Sequence, residues 1–173
     1  LAYGDSITQG YDALRPSNRY IAKLADELDA EEFNKAIGGA RFFPELAQLK
    51  DSFVPDYITV AYGTNDWSWG RASMDAFKAY AQSFYDKLAE LYPEAIIIGI
   101  TPIWRKDNNP SRVGTFDDMR AELAKIIESV GGHAIDGIDL VPHERTYYGD
   151  DNCLHPNNEG FEYYANNLYE KIK

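Results

Sequence analysis

Asp56-Tyr57-Ile58-Thr59-Val60-Ala61-Tyr62 is the stretch on which the architecture turns. Its β-branched and aromatic residues run without the polar alternation of a half-exposed strand. The run stops at Gly63, so it reads as a strand buried on both faces. Ala95–Ile100 repeats the pattern in near-continuous aliphatic form. Between the two, Phe77, Tyr80, Ala81, Phe84, Leu88 and Leu91 recur at three- and four-residue steps behind Ser73, up to Pro93. That spacing lays one apolar stripe along a helix with Ser73 as its cap. Buried strands separated by helices imply a parallel sheet covered on both faces.

The pattern extends in both directions. Leu1–Tyr3 ends a strand at Gly4, and Glu32–Ala36 is a second strand candidate closing at Gly38-Gly39. Ser17 is placed to cap a helix through Asp29, with Tyr20, Ile21, Leu24 and Leu28 at helical spacing. Thr115 and Asp118 form a capping box before a stripe of Phe116, Met119, Leu123, Ile126, Ile127 and Val130. Ala134–Ile138 is the last strand. Asn157–Ile172 is the closing helix, with Pro156 suited to its first turn. The expectation is an α/β fold: a three-layer α/β/α sandwich around a five-stranded parallel sheet. No repeat, linker or low-complexity block interrupts it, so residues 1–173 are read as one domain. Ligands in such sheets sit beyond the carboxyl ends of the strands.

Composition narrows the function. The formal net charge of −11 argues against nucleic acid and against an anionic membrane surface, both of which need clustered Lys and Arg. Apolar stretches are too short to span a bilayer. A single cysteine, Cys153, excludes an intrachain disulfide and a multi-cysteine metal site. No signal peptide is visible, but the opening Leu1-Ala2-Tyr3 lacks a methionine, which leaves room for a leader and leaves the compartment open.

The loops after the strands carry the chemistry. They read Gly4-Asp5-Ser6-Ile7-Thr8-Gln9-Gly10, then Asn34 to Arg41 around Gly38-Gly39, then Gly63-Thr64-Asn65-Asp66. Near the end comes Asp150-Asp151-Asn152-Cys153-Leu154-His155-Pro156-Asn157. Taken singly, Gly-Asp-Ser is an ordinary turn. Taken in this order, the four blocks resemble the SGNH (GDSL) hydrolase family, whose serine, glycine, asparagine and histidine correspond to Ser6, Gly39, Asn65 and His155. The likeness runs from residue 4 to about residue 161 and is loosest in the second block. It implies a flavodoxin-like sheet and ester or acyl hydrolysis without a cofactor or metal.

Chemistry supports the same residues. A serine hydroxyl needs a base within hydrogen-bond reach. His155, at a helix start, can return to the sheet's carboxyl edge, whereas His133 and His143 read as surface residues. The alternative for Ser6 is that its hydroxyl caps the first helix. Developing negative charge on the acyl oxygen must meet preorganised donors. The N–H groups of Ser6 and Gly39 and the amide of Asn65 are the candidates, and their alternatives are a plain turn and an Asx-turn.

One position departs from the resemblance, which implies an aspartate three residues before the histidine. That place holds Asn152, with Asp151 one further back. A one-residue bulge delivers Asp151, strict spacing delivers Asn152, and a backbone carbonyl is the third option. Asp151 is preferred, because an amide in this role favours the wrong tautomer. Cys153 reads as a small buried thiol. The chain holds 13 Tyr, 8 Phe and 3 Trp. Of these, Trp67, Trp69 and Trp104 follow the strand ends and are expected at a substrate pocket, with Tyr11 and Tyr147-Tyr148 nearby. Tyr20, Phe77, Tyr80 and Phe84 belong to helix stripes and are expected in the core.

The reading is a serine ester hydrolase acting on a short acyl ester, with a carbohydrate O-acetyl group among the candidates. The alternatives are a lipid acylhydrolase or thioesterase, and a non-catalytic flavodoxin-like binding module. The partner expected is a small-molecule or carbohydrate ester; oligomeric state is not legible.

Overall fold

Four strands pair in parallel in the computed structural model, which describes residues 1–173. They are β1 (Ala2–Gly4), β2 (Tyr57–Ala61), β3 (Ile96–Ile100) and β4 (His133–Ile135), adjacent in that order. Ala2 lies opposite Thr59, Thr59 opposite Ile98, and Ile98 opposite His133. The fifth strand expected at Glu32–Ala36 is reduced to one parallel bridge, Asn34 beside Ala2. Its backbone still bonds along the edge: Ala2 N–H donates to Phe33 O, and Lys35 N–H to Ala2 O, both at 2.8 Å. Counting that segment, the order is flavodoxin-like, with the second element outside the first. The sheet itself has four strands rather than five.

Helices α1 (Ser6–Gln9), α2 (Tyr20–Glu27), α3 (Met74–Leu91), α4 (Phe116–Ser129) and α5 (Asn158–Ile172) complete the chain. Alternation along each strand feeds two cores. Tyr3, Ile58, Val60 and Ile97 face Phe77, Phe84, Leu88, Leu123 and Ile127 of α3 and α4. Ala2, Ile98 and Ile100 face Tyr20, Leu24, Phe161 and Leu168 of α2 and α5. The three-layer α/β sandwich follows from that division. None of the helices is long and apolar enough to cross a membrane.

Caps fix most helix starts. Ser73 Oγ accepts from Ala76 N–H at 3.2 Å and Thr115 Oγ1 from Asp118 N–H at 3.0 Å. The start of α2 differs from expectation. Pro16 opens a short 3₁₀ turn, Pro16–Asn18, so Ser17 lies inside it and the helix begins three residues later, uncapped. At α5 the cap is Asn157, accepting from Gly160 N–H at 3.0 Å, which leaves Pro156 just outside the helix. Tyr80 also departs from the core expectation: it is exposed, with the Arg71 guanidinium 3.9 Å above its ring.

Candidate active site

The turn that carries Ser6 is built by close approach. Gly4 ends β1 where any Cβ would sit 2.1 Å from Thr8 Oγ1. Gly10 ends α1 at φ +91°, where a Cβ would meet Arg19 Cγ at 2.2 Å. Between them Asp5, not Ser6, caps the helix, its Oδ1 accepting from Ile7 N–H at 3.0 Å. The Ser6 hydroxyl is therefore free of capping duty, and its Oγ lies 2.7 Å from His155 Nε2.

His155 arrives from the far end of the chain, and the structure decides which acid meets it. Asn152 and Cys153 take left-handed backbone at φ +64° and +63°. This bulge absorbs the extra residue, so Asp151 Oδ2 pairs with His155 Nδ1, while Asn152 is turned out and exposed. The other Asp151 oxygen accepts from the backbone N–H of Leu154 at 3.1 Å and of His155 at 3.3 Å. Burial raises the Asp151 pKa, but the His155 ring and these N–H donors outweigh it and hold the carboxyl below its usual range. An ionised Asp151 keeps the ring hydrogen on Nδ1, which leaves the Nε2 lone pair for the serine hydroxyl. The Tyr11 ring leans on the imidazole, centroids 4.5 Å apart. His133 and His143 are exposed, and Cys153 is buried at 1% exposure.

Donors for a developing oxyanion are unequal. The backbone N–H groups of Ser6 and Gly39 have no internal acceptor. Gly39 has φ +75°, which glycine tolerates, and no atom stands within 4 Å of where a Cβ would be. The Asn65 amide, by contrast, donates to Ala40 O at 3.0 Å and Asp5 Oδ2 at 3.3 Å. Both of its hydrogens are engaged in this state.

Two buried acids support these loops. Asp5 is pushed up to about 7, first by burial and further by Asp66, against the Ile7 N–H and Arg105. Asp66 is raised to about 6 because burial outweighs its 2.9 Å ion pair with Arg71. Arg105 ties the loop after β3 to the loop after β2, donating to Thr64 Oγ1 at 2.9 Å and to Asp107. Sequence reading missed Asp5 as a cap, although an aspartate immediately before a helix is the standard signal.

The three tryptophans divide. Trp67 is 3% exposed, packed edge-on against Phe116 with its indole N–H on Gly114 O at 3.1 Å. It is a core residue, which corrects its assignment to the pocket. The turn Asp66–Gly70 is a wide helical one, so residues two apart face nearly opposite ways. Trp69 is accordingly 63% exposed, with the Arg41 guanidinium 4.8 Å from its ring. Trp104 stacks on His143 at 5.1 Å and edge-on against Tyr148.

A three-layer sheet with a serine, an imidazole and a carboxylate in one line beyond its carboxyl edge defines a hydrolase of the acyl-transfer kind. The family model described as the GDSL-like lipase/acylhydrolase family matches residues 2–163, and the chain belongs to that family. It is a carboxylic ester hydrolase. Among solved structures, a Lactobacillus plantarum protein aligns at a TM-score of 0.75 with 23% identity, over 99% of this chain and 94% of that one. The salicylyl-acyltransferase SsfX3 of a tetracycline biosynthetic pathway aligns at 0.79 with 24% identity, over 96% of this chain and 51% of its own. A family two carbohydrate esterase from Clostridium thermocellum, solved with cellohexaose, aligns at 0.78 with 18% identity, over 99% and 62%. These likenesses bear on the fold. No curated protein matches the sequence.

Proposed function

We propose that residues 1–173 form one catalytic domain that cleaves a short acyl ester through a Ser6–His155–Asp151 triad, a carbohydrate O-acetyl group being the favoured substrate class. The reading is carried by one observation: the 2.7 Å contact of Ser6 Oγ with His155 Nε2, while Asp151 holds Nδ1. Ser6 Oγ attacks the acyl carbonyl as its proton passes to Nε2. The tetrahedral oxyanion is received by the N–H groups of Ser6 and Gly39, and by Asn65 once its amide turns from Asp5 or Ala40. Collapse expels the alcohol, which takes the proton from Nε2 and leaves an acyl-serine. Water attacks that ester with His155 again as base, and the acid departs.

The short-acyl preference rests on what surrounds Ser6. A cavity of about 750 Å³ lies at the amino ends of the strands among Leu24, Leu28, Phe33 and Val54, and no site residue lines it. A lipid chain would need such a channel beside the serine. The sugar preference rests on Trp69, whose ring meets Arg41 and is otherwise exposed on the turn that follows Asn65, a surface suited to stacking on a pyranose. The same fold carries carbohydrate esterases elsewhere, which supports the reading by analogy alone.

A fluorophosphonate probe, followed by p-nitrophenyl esters from acetate to laurate and by acetylated sugars, tests it. Wild type should be labelled and turn over acetate fastest. Ser6→Ala should lose labelling and turnover on the order of 10⁶-fold. Folded wild type that takes no label would sink the serine mechanism, and rates climbing toward laurate would sink the short-acyl preference.

A further inference from the structure

Asp12 stands at the site without a role in the triad. It sits just past α1 in left-handed backbone at φ +69°, and it makes no side-chain hydrogen bond or ion pair. One of its carboxylate oxygens, one of Asp151 and a ring nitrogen of His155 all lie within 4.8 Å of one another. Gly149 makes the approach possible, since a Cβ there would lie 2.0 Å from Asp12 Oδ2. Asp150, although adjacent to Asp151 in sequence, is turned to solvent, where it meets Arg145 at 3.4 Å. Two carboxylates therefore face one imidazole, one from each of the loops that meet there.

We infer that Asp12 is a reserve positioning residue for His155: a second carboxylate placed to accept the Nδ1 hydrogen when Asp151 does not. The geometry favours this because the primary acid is loosely housed. Asp151 is 29% exposed and depends on a bulge of two left-handed residues that carry side chains. An opening of that bulge withdraws Asp151. Asp12 is carried by a different loop, the exposed turn just past α1, so an opening of the Asn152–Cys153 bulge does not withdraw it. A hydrogen bond from Nδ1–H to Asp12 preserves the tautomer that leaves Nε2 free for the Ser6 proton, and no other step of the reaction changes.

This inference rests on the triad reading, and wild-type turnover and the Ser6→Ala control test that reading separately. The experiment is a double-mutant cycle on p-nitrophenyl acetate, with melting curves to establish folding. Asp151→Asn alone should lower kcat by about 10–10²-fold instead of the roughly 10⁴ of a triad with one acid. Asp12→Asn alone should lower it less than about fivefold, and the pair together by on the order of 10⁴, far beyond the product of the singles. KM should hold throughout, because losing the orientation of His155 weakens the reaction step and not ground-state binding. Gly149→Ala in the Asp151→Asn background should reproduce most of the extra loss, since the added methyl displaces the Asp12 carboxylate without removing its charge. A loss near 10⁴ from Asp151→Asn alone overturns the inference, and so does a double variant no slower than Asp151→Asn.

Discussion

Between Gly4 and Gly10 the chain turns on glycines, each pressed against a neighbour's side chain, and the acid inside the turn is fully buried. Between Asp150 and Asn157 there is no glycine, and the turn passes through Asn152 and Cys153 in left-handed backbone. The two loops supply opposite ends of the Ser6–His155 hydrogen bond. One is held by the absence of side chains, the other by hydrogen bonds that offset backbone strain of about 1–2 kcal/mol per residue. The two partners of one hydrogen bond thus need not be held in the same way. The serine end tolerates almost no volume, while the histidine end tolerates substitution but yields stability.

The largest test of this contrast is the pH dependence set by Asp5. Its unfolded carboxyl ionises near 3.8, whereas burial in the turn holds the folded pKa at about 7. A raised folded value means that stability is complete below pH 4 and is lost as pH climbs through 7, by on the order of 4 kcal/mol. Asp66, raised to about 6, pulls the same way, and the lowered Asp151 opposes it at the acid end. Asp5→Asn keeps the cap and removes the charge. Its melting temperature should gain on wild type steadily between pH 4 and pH 7.5. A constant gap across that range would show that the Asp5 charge is accommodated.

Next in size is Gly4→Ala, whose methyl would meet Thr8 Oγ1 at 2.1 Å. Overpacking of this kind typically costs 1–3 kcal/mol, about 2–9 °C for a domain of this size, and activity should fall with it as Ser6 shifts. An unchanged melting curve would mean that Thr8 gives way. Smallest is Asn152→Ala. Placing alanine in left-handed backbone should cost about 1 kcal/mol, yet turnover should stay within about twofold, because Asn152 does not touch the ring. A large loss of turnover at intact folding would return the orienting role to Asn152.

Legibility followed burial. Tyr57–Ala61 and Ile96–Ile100 were readable because strands covered on both faces need unbroken apolar runs. Glu32–Ala36 was over-read, since an edge segment with one neighbour can make its hydrogen bonds without continuous strand geometry. Ser6 and His155 stood out through motif order and through the chemistry of an activated hydroxyl. Asp151 was one option among three, because the register of a bulge depends on backbone conformations that residue types only bias. Trp67 and Trp69 were inseparable in sequence, since both follow Asn65 on one short loop and only the wide helical turn there sends one inward and the other out. Asp12 was invisible, being far from His155 along the chain.

Cys153 has a use that follows from its place in the strained loop. It is the lone thiol of the chain and is sealed at 1% exposure two residues from His155. An alkylating reagent can reach it only when that segment opens, so its rate of modification under native conditions is a clock for the opening. The protein carries, without any label, a gauge of how often the loop that holds Asp151 against His155 opens.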